Sequence, residues 1–258
     1  WLGANGTASN SNGSITSTVS ANTTSGFSIV KWTGSGSSAT LGHGLGSTPK
    51  CIIVKNLTDS VNWFLYNHSV ITASSTNKTF MTLNDSRAIE SNGTATTFTS
   101  VSSTTFGVGT DNIINGSSDN MIAYVFAEKK GYSKFSKYTG NGNADGTFVY
   151  TGFKPAFVII KPSSYANSWL MLDNKRNAFN VTNTRLEADG NGADSSTLDY
   201  ADFLSNGFKI RTSNSHPNNS GGTLIYMAFA ENPFVSSSGV PACARWWLIE
   251  KYNNYWRL

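Results

Sequence analysis

One phrase is written twice in this chain, and that repeat constrains the fold more than any other feature. Residues 106–128 read FGVGTDNIINGSSDNMIAYVFAE, and residues 208–231 read FKIRTSNSHPNNSGGTLIYMAFAE. Each opens on a Phe-led alternating run, passes through a loop of Asn, Ser and Gly, and closes on an aliphatic–aromatic run ending in Phe-Ala-Glu. The likeness extends upstream. Thr33-Gly34-Ser35-Gly36 aligns with Thr139-Gly140-Asn141-Gly142, Pro49 with Pro155, Ile53-Val54-Lys55 with Ile159-Ile160-Lys161, and Trp63 with Trp169, every pair 106 residues apart. By the closing phrase the step is 102 or 103, which a short loop deletion accounts for. A unit of roughly 100 residues is therefore present twice, a tandem pair of whole domains and not a short-period solenoid.

Within each unit the local pattern is β. Short β-branched and aromatic runs bounded by Gly, Asn, Ser or Pro follow one another: FSIVKW (27–32), CIIVKN (51–56), WFLYN (63–67), KTFMTL (78–83), TTFTSV (96–101), FGVGT (106–110) and MIAYVFAE (121–128). The second unit answers with KFSKYTG, TFVYTG, FVIIKP (157–162), WLMLDN (169–174), TRLEAD (184–189), FKIRT (208–212) and LIYMAFAE (224–231). No window holds a sustained 3.6-residue apolar period, so helices are not expected. The continuous apolar runs CIIVKN and MIAYVFAE belong in the middle of a sandwich, whereas the alternating KTFMTL is expected to leave one face wet. The Asn/Ser/Gly loop before each last strand suits turns with positive φ.

The expected fold is all-β: two tandem antiparallel β-sandwich or jelly-roll modules, at residues 26–130 and 131–231. Paired residues such as Trp63 and Trp169 should occupy equivalent core positions. Residues 1–25, almost all Gly, Ala, Ser, Thr and Asn, read as an extended arm or linker. Residues 232–258 read as a loop followed by an aromatic strand, WWLIEKYNNYWRL. That strand would either cover an open edge of its own module or pair with a neighbouring subunit.

Composition narrows the function classes. Charged residues make up 13% of the chain, about half the usual ~25%. The formal net charge is +4, but the Lys and Arg are scattered and not interleaved with aromatics, so a nucleic-acid partner is not expected. No apolar stretch approaches the ~18 residues of a membrane-spanning helix. Cys51 opens an apolar run and reads as a buried thiol, and spacing alone does not suggest that it pairs with Cys243.

Residues that carry chemistry are sparse. His43, His68 and His216 each lack a second ligand at metal-binding spacing. Asp111, Asp119, Asp145, Asp173, Asp189 and Asp194 lie in or beside Asn/Gly/Ser-rich loops, where turn formation is the ordinary role and Ca²⁺ a weak alternative. No carboxylate pair, nucleophile elbow or phosphate loop stands out, so the expectation is a protein that is not an enzyme, with no catalytic residue and no cofactor. Asn-x-Ser/Thr acceptors for N-glycosylation begin at Asn5, Asn12, Asn22, Asn56, Asn67, Asn77, Asn84, Asn92, Asn115, Asn180 and Asn218.

Taken together, SGFSIVKWTGSGSSATLGHGLGSTPKCIIVKN, GYSKFSKYTGNGNADGTFVYTGFKPAFVIIK, DFLSNGFKIRTS and YMAFAENPF resemble a domain of unknown function that recurs in virion and tail-associated proteins of tailed phages. The resemblance runs from about residue 13 to 233. It implies a structural or adhesive role outside cells or on a virion surface, in a protein of stacked β modules, and it assigns no catalytic residue. WLGANG would then be the end of a preceding module. The extra aromatic tail departs from the pattern, because relatives tend to stop soon after a VPATAR-like sequence, here VPACAR.

The expected function is a non-enzymatic structural subunit of an extracellular fibre or virion appendage. Head-to-tail self-assembly would run through the terminal residues Trp1, Trp246, Trp247, Leu248, Tyr252, Tyr255 and Trp256. The alternative is a carbohydrate-binding module in which Tyr66, Tyr150, Tyr165 and Tyr200 stack on surface glycans.

Overall fold

A computed structural model describes residues 6–231 apart from positions 77, 92 and 94. The first half carries β1 (Ala8–Asn10), β2 (Ser17–Asn22), β3 (Phe27–Thr33), β4 (Ala39–Gly42), β5 (Cys51–Asn56), β6 (Phe64–Asn67), β7 (Met81–Thr82), β8 (Phe98–Val101), β9 (Thr105–Val108), a one-turn helix α1 (Asn112–Asn115) and β10 (Asn120–Phe126). The second half carries β11 (Ser133–Thr139), β12 (Phe148–Tyr150), β13 (Pro155–Pro162), β14 (Leu170–Asp173), β15 (Leu186–Glu187), β16 (Ala201–Leu204), β17 (Gly207–Ile210), a one-turn helix α2 (Ser215–Asn218) and β18 (Thr223–Ala230).

In the first half a large sheet ordered β1-β2-β3-β10-β5-β6-β7 lies over a three-stranded sheet β4-β9-β8. The second half repeats the plan with β11-β18-β13-β14-β15 and β12-β17-β16. All strand pairings in these sheets are antiparallel, and the registers agree position by position. Met121 sits opposite Trp32 and Tyr124 opposite Ile53, while Leu224 sits opposite Tyr138 and Met227 opposite Ile159. The fold is the expected all-β pair of sandwich modules.

The large sheets are apolar on both faces, and this decides the overall architecture. In β10, Met121, Ala123 and Val125 turn toward the small sheet of their own module, and Tyr124 and Phe126 turn the other way. Much of that second face is covered by the other module, although Lys31 at one end of it is exposed. Phe126 packs on Phe135 and Phe229 at ring-centroid distances of 5.6 and 6.4 Å, and Cys51 Sγ lies 3.7 Å from Met227 Sδ. One continuous cluster joins the first module's core to Phe135, Ile159, Trp169, Ile225, Met227 and Phe229 of the second. The second module's interior, around Val158, Phe208 and Tyr226, is a separate cluster. The molecule is thus four β layers, with the two large sheets back to back in the middle. Each large side chain buried in that joint contributes about 1.5–3 kcal/mol.

This joint corrects two expectations. KTFMTL has no wet face: Phe80, Met81 and Thr82 are all buried, and the Thr82 carbonyl accepts the Trp169 indole N–H at 2.9 Å. Trp63 and Trp169 hold equivalent places in the register and lie on the back face of their sheets, but only Trp169 is fully buried, because Thr82 of the other module covers it there. Trp63 is half-buried and stacks on Tyr124 at 6.2 Å.

The segment read as an arm is extended, and within the described residues it is docked. β2 pairs with β3 along the edge of the large sheet, while Ile15 bridges Leu41 of β4. Ser17 and Val19 are buried. The tail strand expected within 232–258 lies outside the described residues.

Candidate functional site

The repeated phrase forms a clamp. In each module the Asn/Ser/Gly loop folds into one helical turn whose last residue is a fully buried asparagine, Asn115 or Asn218. Asp111 caps the first turn, accepting from Ile113 N–H at 2.9 Å, and Asn214 caps the second, accepting from His216 N–H at 2.9 Å. The Asn115 amide donates to Ser35 Oγ and the carbonyls of Ser37 and Gly109, and accepts from the Ser35 N–H and the Trp32 indole. The Asn218 amide donates to Asn141 Oδ1 and the carbonyls of Asn143 and Thr212, and accepts from the Asn141 N–H. The Thr-Gly-x-Gly turn closes on the same point: Gly36 and Gly142 take φ of +66° and +67°, and donate to the carbonyls of Asn115 and Asn218. The expected positive φ also falls in this loop, at Ser118 (66°) and its counterpart Gly221 (72°). Buried polar groups this fully satisfied lock one loop geometry, so the phrase is a structural signature.

The histidines are likewise spent on structure. His43 is buried, with Nδ1 accepting from Leu45 N–H at 3.2 Å and Nε2 3.3 Å from the Ser102 carbonyl. His68 Nε2 lies 2.9 Å from the Phe135 carbonyl across the module joint. His216 Nε2 lies 2.7 Å from the Ser168 carbonyl, and Arg185 Nη1 donates to its Nδ1 at 3.1 Å. Burial lowers the pKa of all three, partly opposed by those backbone hydrogen bonds. Lys161 is buried at the joint, donating to the carbonyls of Ser86, Arg87 and Asn167 at 2.9, 2.8 and 2.6 Å. Desolvation pulls its amine down to about 8.

The loop aspartates serve as caps and ion-pair partners. Asp111 pairs with Lys78 at 2.6 Å, Asp173 with Arg176 at 2.6 Å and Asp145 with Lys209 at 2.8 Å. Asp119 accepts from Asn56 and Asp189 from the Trp169 backbone N–H. Among the described residues no three His, Cys, Asp or Glu side chains gather as a metal site would require. Cys51 is a buried free thiol whose pKa desolvation raises, and Cys243 lies outside the described residues.

Two sets of expected surface residues need correction. Tyr66 and Tyr200 are 6% and 1% exposed, so neither can present a ring face to a sugar. Tyr165 is half-buried, its hydroxyl donating to the Ser215 carbonyl at 2.7 Å. Of the four, Tyr150 alone is open, at 62%. Among the glycosylation acceptors, Asn56, Asn67, Asn115 and Asn218 are fully buried, and a glycan cannot be attached to a side chain sealed in a core. Asn12, Asn84 and Asn180 are exposed and Asn22 is half-buried. Asn5, Asn77 and Asn92, and the assembly residues Trp1, Trp246, Trp247, Leu248, Tyr252, Tyr255 and Trp256, lie outside the described residues.

Beside the singly exposed Leu57 and Phe179, one face of the second module's small sheet carries two open aromatic rings. Strand alternation puts Phe148 and Tyr150 on the same side of β12, and Phe148 is 44% exposed. Across the sheet Phe148 stands opposite Lys209, and Lys209 opposite Asp202. A groove of about 510 Å³ continues this face, lined by Ala144, Asp145, Asn180, Val181, Asp199, Asp202 and Arg211. An adjoining hollow of about 370 Å³ shares Ala144, Asp199 and Arg211. The charges largely answer one another: the Lys209 hydrogen bond holds Asp145 below the usual carboxylate range, and Arg211 Nε lies 3.5 Å from Asp202 Oδ2. The sequence reading missed Phe148, Lys209, Asp202 and Arg211. Period-two spacing in TFVY and FKIR puts each pair on one face, but which face stays open depends on packing.

Two stacked-sheet modules joined back to back define an all-β tandem protein. Residues 1–233 match a domain of unknown function, DUF7483, and the chain belongs to that family. No curated protein and no solved structure matches it.

Proposed function

We propose that the chain is a non-enzymatic structural unit of an extracellular fibre or virion appendage, of the kind its sequence resembles, and that copies join through their terminal segments. The observation that carries this reading is the fused joint between the modules. A large part of the second face of each large sheet, which in a separate sandwich would meet water, packs against its counterpart, and His68 and Lys161 bind the joint with hydrogen bonds to carbonyls across it. Two domains so joined act as one stiff block, which suits a mechanical spacer better than a hinged enzyme. The test is deletion of residues 245–258. Electron microscopy and size-exclusion chromatography of the full chain should show fibres or stacks, and the truncated chain should give folded monomers. The same assembly after truncation, or a full chain that stays monomeric, overturns the mechanism. Turnover of a polysaccharide by the purified chain overturns the non-enzymatic reading.

A second reading, carbohydrate recognition, draws support from the exposed Phe148 and Tyr150 rings beside a polar groove.

A further inference from the structure

We propose that the outer face of β12, β17 and β16 is a binding site for a neutral oligosaccharide, with Phe148 and Tyr150 as stacking platform and Asp199, Asp202 and Arg211 as partners for its hydroxyls. The proposal rests on the second reading above and gives it a location.

The two modules differ most at this strand. Pairing with the matched strands β9 and β17 aligns Thr40 with Phe148 and Gly42 with Tyr150. In the first module the chain's own arm covers that strand: Ser14 and Thr40 exchange backbone-to-hydroxyl hydrogen bonds at 2.9 Å, and Ser17 Oγ donates to the Gly42 carbonyl at 2.9 Å. A Cβ on Gly42 would lie 2.0 Å from Asn10 Oδ1. Tyr150 therefore excludes an arm seated in the same way, so this face is not a vacant socket for the arm of a second copy. Where the first module carries small residues under a covering segment, the second carries two open aromatic rings.

The chemistry of the face selects the ligand class. Aromatic faces carry negative potential and attract the weakly positive C–H groups of a sugar ring. Neighbouring strands are about 4.8 Å apart, which puts the Phe148 row roughly 10 Å from Asp202 across β17, the span of a short oligosaccharide. Carboxylates accept from sugar hydroxyls and the guanidinium donates to them, both as charge-assisted hydrogen bonds. Asp145–Lys209 and Asp202–Arg211 offset one another, which leaves the single negative charge of Asp199 in the groove and disfavours an anionic ligand.

The full chain is screened on an array of neutral and acidic oligosaccharides, and the strongest binder is titrated in solution. Neutral glycans should bind, and Phe148→Ala/Tyr150→Ala should weaken them at least tenfold. Because both rings are exposed, that variant should keep the wild-type melting temperature. Asp199→Asn should weaken binding without touching the rings. If neutral glycans bind the double variant as tightly as wild type, glycan recognition stands but this site is wrong. If only acidic glycans bind, the ligand class is wrong. If no glycan binds the wild-type chain, the site and the reading beneath it both fall.

Discussion

The two modules share a register and a clamp, yet they expose opposite things. In the first, the arm pairs along β3 and bridges β4, so that β3 is not an edge. In the second, β11 is the sheet edge, with its Phe135 carbonyl held by His68 and its Phe135 N–H 3.4 Å from Glu128 Oε2. There the first module supplies side chains where an arm would supply a strand, which blunts the edge against unwanted pairing. Equivalent lysines diverge the same way. Lys55 donates only within its own module, to the carbonyls of Asp59 and Val61, while Lys161 keeps the matching bond to Asn167 and adds Ser86 and Arg87 across the joint. A duplicated unit thus keeps what holds its own loops and changes what faces its neighbour.

The shared clamp yields the largest expected effect. Asn115→Ala and Asn218→Ala should each cost about 3 kcal/mol or more, because each leaves several buried donors and acceptors unpaired. Urea unfolding of the two variants measures this, and a large loss in one with none in the other would break the equivalence of the modules.

The divergent tryptophans come next. Trp169→Phe should cost about 2 kcal/mol, since it empties part of the joint and orphans the Thr82 carbonyl. Trp63→Phe, at a half-buried site, should cost under about 1 kcal/mol. Equal costs, read as shifts in thermal midpoint, would deny the asymmetry created by the joint.

The smallest effect per group is acid sensitivity. The folded-state pKa of each histidine lies below the unfolded value of about 6.5. The unfolded chain therefore takes up protons first, and stability, whole above that value, falls as pH drops below it. Denaturant midpoints at pH 7.5 and 5.5 should show the loss, ahead of the carboxylate range. His68→Gln should shrink it, and a flat profile in wild type would refute the account.

Much of the fold was legible because β structure writes itself with period two. FSIVKW, CIIVKN and MIAYVFAE became β3, β5 and β10 almost residue for residue, and FVIIKP became the core of β13. β4 went unread because ATLG sits among glycines that look like turn formers, and β2 because STVSAN has too few apolar residues to signal a strand. Both depend on partners supplied from elsewhere in the chain. The one-turn helices escaped because four residues cannot show a 3.6-residue period. Of the candidate glycan site, only Tyr150 was named from sequence. Nothing in the neighbouring residues marked Tyr66 and Tyr200 as buried and Tyr150 as open, and solvent exposure separates them.

The sequence by itself determined the duplication, the all-β class and the central strands, since these follow from repeated local patterns and from apolar runs that must be buried. Only the tertiary structure decided that the two large sheets stand back to back. An apolar residue on a strand states that its face needs cover, and says nothing about whether that cover is the chain's own small sheet, its arm or the other module. The same limit applies to the open face at Phe148 and Tyr150: alternation put both rings on one side, and the absence of a covering element among the described residues left that side to solvent.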